Sequence, residues 1–146
     1  MARLSQEKVS KLGTWALAVF VEVGSVLMFA GWTGGFTCDN PEHLTFVGAT
    51  SQLLHDSEFT ATVHGLWWLL SVRKRFSCPC CFLSDALLTL RSTSGEHRWK
   101  AHPRQATILR ALGKMVETLY DIELQHVKAH SGMPLYELVD SLSDHY

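Results

Sequence analysis

The sequence predicts a mixed α/β domain, and three stretches carry that prediction. Two apolar runs, WALAVFV and SVLMFAGW, meet at a Glu-Val-Gly segment and read as a β-hairpin, since β-rich residues there give way to turn chemistry. The run CFLSDALL, apolar up to Ser-Asp, reads as a buried strand passing into a helix, the junction at which open α/β sheets present functional side chains. From Pro103, a good first helical residue, Ile108, Leu109, Leu112, Met115, Val116 and Leu119 recur at three- and four-residue steps and form the stripe of a long helix.

Taken in order, residues 1–12 form a polar N-terminal tail, and the domain spans 13–146. The tail shows no clear small-residue cleavage pattern, so no signal peptide and an intracellular location are expected. Strands are predicted near 14–21 and 25–33. Gly, Asp-Asn-Pro and polar clusters over 34–56 predict a loop, with a short extended piece at LTFVGA. Asp56 or Ser57 can cap a helix near 57–73 whose inner face uses Phe59, Val63, Leu66, Trp67 and Leu70, with Glu58 in its first turn. Arg73, Lys74 and Arg75 close that helix where cations suit the dipole. A strand follows near 80–84 with Asp85 at its end, then a helix near 85–92, the long helix 103–119, a strand near 121–128, and a last helix, 134–143, opened by Pro134.

Composition narrows the function classes. At 146 residues there is room for one ordinary domain, and 47% hydrophobic against 18% charged residues with a net charge of −1 excludes both a disordered polyelectrolyte and a broadly basic nucleic-acid binder. Any nucleic-acid contact must be local, and HRWKAHPR supplies one candidate, with Arg98, Lys100 and Arg104 around Trp99 offering phosphate contacts and a stacking face. A solvated helix approach with one anchoring Trp reads the same residues without function. Cys78, Cys80 and Cys81 are too close in sequence for a disulfide framework, which fits a reducing compartment, and no second ligand pair completes a zinc site around them. Residues 15–32 approach the length that spans a bilayer, but Glu22 and Gly24 at the centre argue for the hairpin and against a membrane.

The densest chemistry lies in HVKAHSGMPLYELVD, residues 126–140, where imidazoles, a lysine and carboxylates surround a Gly-x-Pro turn. With the following SLS it resembles the final strand, loop and helix of type 1 ribonuclease H domains. SEFTATVHGLWWLL is similar to that family's first helix, which opens on a catalytic Glu. FLSDALL is similar to its fourth strand, which ends in a catalytic Asp, and WALAVFVEVGSVLMFAGW to its second and third strands. The resemblance covers roughly 13–144 in the family's order. It implies a ribonuclease H-like mixed sheet flanked by helices, and hydrolysis of the RNA strand of RNA–DNA hybrids assisted by two Mg²⁺ or Mn²⁺ ions. By the same resemblance Glu58, Asp85 and Asp140 are metal ligands, His130 is the proton-transfer group, and Arg98, Trp99, Lys100 and Ser131 contact substrate. Read singly, Glu58 could merely suit a helix N-terminus, Asp85 cap a helix, and Asp140 sit on a solvated face, while His126 reads as a packed or hydrogen-bonded strand residue.

The sequence departs from the family in two places. The family's first, central strand ends in an Asp-Gly-Ser-like motif whose Asp bridges both metals, and MARLSQEKVSK contains no aspartate. Glu22, in the hairpin turn, is no substitute. Tyr136 stands where the family usually has a substrate-contacting Asn, and a phenol lacks the paired donor and acceptor of an amide. The expectations are therefore an impaired nuclease holding one metal, with its first strand lost or supplied upstream or by a reverse-transcriptase-like polypeptide, or a non-catalytic hybrid-binding module or retroelement relic.

Overall fold

The computed structural model describes residues 2–4, 13–72, 79–128 and 134–144, and of 2–4, 135, 136, 140, 143 and 144 the backbone only. Three strands form an antiparallel sheet in the order β1 (Ala2–Leu4), β2 (Gly13–Val23), β3 (Val26–Phe36). After α1 (Leu54–Ser71) come β4 (Cys80–Ser84), α2 (Leu87–Ser94), α3 (Pro103–Leu119) and β5 (Ile122–His126), then α4 (Pro134–Asp144). β4 and β5 pair in parallel, Cys80 opposite Ile122 and Ser84 opposite His126. The mixed α/β class is as expected, and it is built as two small sheets.

The hairpin forms where the apolar runs predict it, but its turn is Gly24-Ser25 and not Glu-Val-Gly. Gly24 takes φ 62°, a conformation that two-residue hairpin loops need and that a residue without Cβ adopts freely. Glu22 therefore belongs to β2, opposite Leu27, and is exposed. Val19 pairs with Gly31 while Phe20 pairs with Phe29, so Ala30 is the extra residue of a bulge. Only Gly13–Leu17 of β2 are buried, and Glu22–Ala30 are exposed along both strands.

A strand at Ala2–Leu4 corrects the reading of 1–12 as tail alone. It pairs with β2, Ala2 opposite Trp15 and Leu4 opposite Gly13, and lies against α1 and α4. Residues 46–49, within LTFVGA, form no strand, and β5 ends at His126, short of the expected 128.

α1 is the centre of the core. Phe59, Val63 and Leu66 are fully buried as the helical spacing demands, joined by Ala61 and Leu69. Around them pack Trp15 and Leu17 of β2, Phe82 of β4, Leu90 of α2, Leu109, Leu112 and Val116 of α3, and Val139 of α4. Three stripe residues depart from expectation: Trp67, Met115 and Leu119 are exposed, because the faces they occupy point past their packing partners. Tyr120, at the end of α3, donates its hydroxyl to the Leu69 carbonyl at 2.7 Å, tying the two helix ends together. Among the described residues, no helix is long and apolar enough to cross a membrane.

Candidate functional site

Two of the three expected carboxylates lie close enough for one to feel the charge of the other. Glu58 lies near the start of α1, and Asp85 follows the last residue of β4. The turn that carries Asp85 is held on every side. The Ser84 hydroxyl accepts the Ala86 N–H at 3.0 Å, the Val127 N–H donates to the Ser84 carbonyl at 2.9 Å, and Leu87 N–H reaches the Asp85 carbonyl at 3.1 Å. The imidazole of His126 lies with Nε2 3.2 Å from that same carbonyl, the hydrogen-bonded role its strand position suggests. The Asp85 carboxylate is left for other work: its Oδ1 is buried and has no hydrogen-bond partner among the described residues.

Glu58 is half-buried, and burial first, then the negative charge of Asp85, push its carboxyl up from the ordinary 4.5 to about 7. Two carboxylates compete for one poorly solvated space, and one proton or one cation relieves the repulsion. Because the folded state holds this proton more tightly than the unfolded chain, stability falls as pH rises from about 4.5 and the loss is complete above about 7. Glu58→Gln should therefore stabilise the protein by about 2–3 kcal/mol at pH 8.5 and by much less at pH 5. Urea unfolding of both chains in EDTA checks this, and a difference that does not change with pH would remove the coupling.

Asp140 falls on α4, whose Val139 is buried against the core, but its side chain lies outside the described residues. His130 and Ser131 lie outside them entirely. Among the described residues no three or more His, Cys, Asp or Glu side chains are arranged to hold a metal ion, and the Asp140 carboxylate is not one of those residues. Cys38, Cys80 and Cys81 are not in disulfides.

Sequence reasoning missed a second polar centre beside the first. Asp56, expected only as a helix cap, sits inside α1, which begins at Leu54 after an N-cap, Leu53, that makes no side-chain hydrogen bond. Its carboxylate is fully buried and accepts the Thr50 N–H at 2.8 Å, the Ser51 hydroxyl and the Gln105 amide at 2.7 Å. Burial would raise its pKa, but those hydrogen bonds and the neighbouring His55 outweigh burial and hold it below the ordinary carboxylate range. His55 Nε2 lies 2.9 Å from Asp56 Oδ2, and burial is the main reason the imidazole titrates lower than usual. The His55 ring in turn meets His102 at 4.1 Å and Trp99 at 5.6 Å between centroids. Trp99, expected as a stacking face for substrate, is thus partly engaged inside the protein, whereas Arg98 and Lys100 are exposed. The signal for this centre was faint: a His-Asp pair before a helix and a Gln on the buried face of another.

The Asp56 oxygens are already committed to protein donors, so it is no stand-in for an aspartate of a first strand. No protein-family model matches the chain, and no match is found among curated proteins.

Proposed function

We propose that the chain is a ribonuclease H-like domain that binds RNA–DNA hybrids, holds one Mg²⁺ or Mn²⁺ ion between Glu58 and Asp85, and cleaves the RNA strand weakly or not at all. The observation that carries this reading is the electrostatic coupling of those two carboxylates at the end of β4 and the start of α1, with Asp85 Oδ1 buried and without a hydrogen-bond partner among the described residues. Hard divalent cations take carboxylate oxygens, and a pair that repels when empty is suited to one. The element order supports the same reading, with an antiparallel three-stranded sheet, a helix, a strand, two helices, a parallel strand and a final helix.

When bound, divalent ions in such sites activate a water and stabilise the leaving oxygen. This chain's own part is to hold Asp85 through the Ser84 turn and to keep Glu58 out of water. Asp140 and His130 retain the ligand and proton-transfer roles that the resemblance implies. β1 occupies the position beside β2 that the family's first strand would take, yet ARL carries no carboxylate to share between two ions. Binding should therefore outlast chemistry. A hybrid-binding module without activity is the second reading, favoured by that same strand, and an intracellular setting accompanies both.

The test combines Mn²⁺ titration, followed by paramagnetic broadening of amide signals, with cleavage of a labelled hybrid. Broadening centred on residues 58 and 85, lost in Asp85→Asn, is the expected result, with cleavage rising only when Ala2–Leu4 is replaced by a strand carrying Asp-Gly-Ser. Robust cleavage by the unaltered chain, abolished in Asp140→Asn, would mean that the missing aspartate is replaced from elsewhere. Neither metal nor hybrid binding would end the proposal.

A further inference from the structure

The C-terminal turn of α2 and the neighbouring face of α3 enclose an open cavity of about 430 Å³ that the carboxylate site does not use. Its lining includes Ser92, Gly95, His97, Arg98, Arg110 and Lys114, and none of its lining residues is acidic. Cationic lining alone would be an ordinary solvated surface, but Ser92 is different. It is 2% exposed, and its hydroxyl has no hydrogen-bond partner among the described residues. A helical serine commonly satisfies itself on the carbonyl one turn back, as neighbouring Thr93 does on Thr89 at 2.8 Å. Ser92 does not, so a buried donor lines a cationic cavity with nothing to donate to.

The cavity is also shaped to bring a guanidinium close. Gly95 ends α2 at φ 81°, and a Cβ there would stand 2.7 Å from Arg110 Nε. Glycine is what lets the Arg110 side chain lie against the helix end. Arg110 Nη1 donates to the Thr93 carbonyl at 3.0 Å and contacts Glu117 at 3.1 Å, which fixes the fork while its remaining N–H groups stay available. A tetrahedral anion answers all of these features at once, because it offers several acceptor oxygens to a hydroxyl, a fixed guanidinium and point charges.

We propose that this cavity binds a phosphate group, with the Ser92 hydroxyl and Arg110 donating hydrogen bonds and Arg98 and Lys114 supplying charge. The phosphate is either a backbone phosphodiester of nucleic acid or a free phosphate. Only the first source rests on the function proposed above, where it adds a contact away from the carboxylate pair.

Amide correlation spectra of the full chain, titrated with inorganic phosphate in EDTA, test the site. Saturable shifts are expected at Ser92, Gly95, Arg110 and Lys114, weakened about tenfold in Ser92→Ala and in Lys114→Gln. Ser92→Ala removes a hydroxyl that makes no hydrogen bond among the described residues, so its loss of phosphate binding is not a loss of the fold's own contacts. A second arm measures hybrid affinity against salt. A slope reduced by about one in Lys114→Gln and again in Arg98→Gln assigns a nucleic-acid phosphate, whereas an unchanged slope with phosphate still bound assigns a free one. Shifts that are absent, that do not saturate or that persist in both variants overturn the proposal. The Mn²⁺ response at Glu58 and Asp85 is read separately, so failure of either site leaves the other standing.

Discussion

Replacing Asp56 with alanine is expected to cost about 3–5 kcal/mol, a large share of the stability of a domain this size. The loss is not that of one contact. The Thr50 N–H, the Ser51 hydroxyl and the Gln105 amide all converge on the buried carboxylate, and all three would lose that acceptor at once, the buried Gln105 amide keeping only its bond to the Gly48 carbonyl at 3.2 Å. Gln105 Oε1 is already buried with no hydrogen-bond partner among the described residues, so a turned amide would gain little there. Asp56→Asn keeps the volume but turns an amide donor toward other donors, and should cost less than the alanine change while remaining clearly destabilising. The pH dependence has a definite sign. Asp56 titrates below its ordinary 3.8 in the folded protein, so its contribution is present above that value and disappears as pH falls through the lower folded value. Denaturation curves of wild type and Asp56→Ala should separate at neutral pH and converge in strong acid. Equal separation at all pH values would show that the charge is not what the cluster holds.

The second large effect belongs to Gly113, in the middle of α3. On an unencumbered helix, Gly→Ala is stabilising by about 1 kcal/mol. Here a Cβ would stand 2.2 Å from the Thr93 carbonyl oxygen, a backbone atom in the last turn of α2 that also accepts the Arg110 guanidinium. The two helices can yield only by separating, which would open the packing of Leu90 against Leu109 and Leu112. Gly113→Val should destabilise by about 2–4 kcal/mol, and Gly113→Ala should also destabilise, reversing the sign that helix propensity alone predicts. Thermal unfolding of the two variants checks this, and a stabilised alanine variant would mean that α2 and α3 are not in such close contact.

Most element boundaries were legible because they rest on local patterns. The 103–119 helix was readable from its stripe and its leading proline, and the 80–84 strand from an apolar run stopped by Ser-Asp. What escaped depended on distant residues. α1 starts earlier than its capping signals suggest, because Asp56 looks inward to Gln105, 49 positions away, and not outward to its own helix end. β1 is three residues with no alternation, and only its pairing with β2 makes it a strand. For the site, Glu58 and Asp85 could be named from motif order, but the burial that makes one charge oppose the other is a property of packed elements. Trp99 could be a stacking face or an anchor, and nothing in HRWKAHPR decides between them because the partner ring, His55, lies on a distant stretch of chain.

The parallel pairing of β4 with β5 also bears on how the chain reaches this structure. Cys80 meets Ile122 across 42 positions (122 − 80), while the β2–β3 hairpin closes through two residues. Contacts that close long loops come late, since the entropy of bringing the ends together must be met before the contact returns anything. The intervening chain is not slack, however, because α2 and α3 place 8 and 17 of its residues in helices that form locally and shorten the distance to be searched. The end of β4, where Asp85 sits, is therefore assembled only after both helices have docked, so the acidic pair is among the last features of the native state to exist and among the first to be lost when those helices loosen.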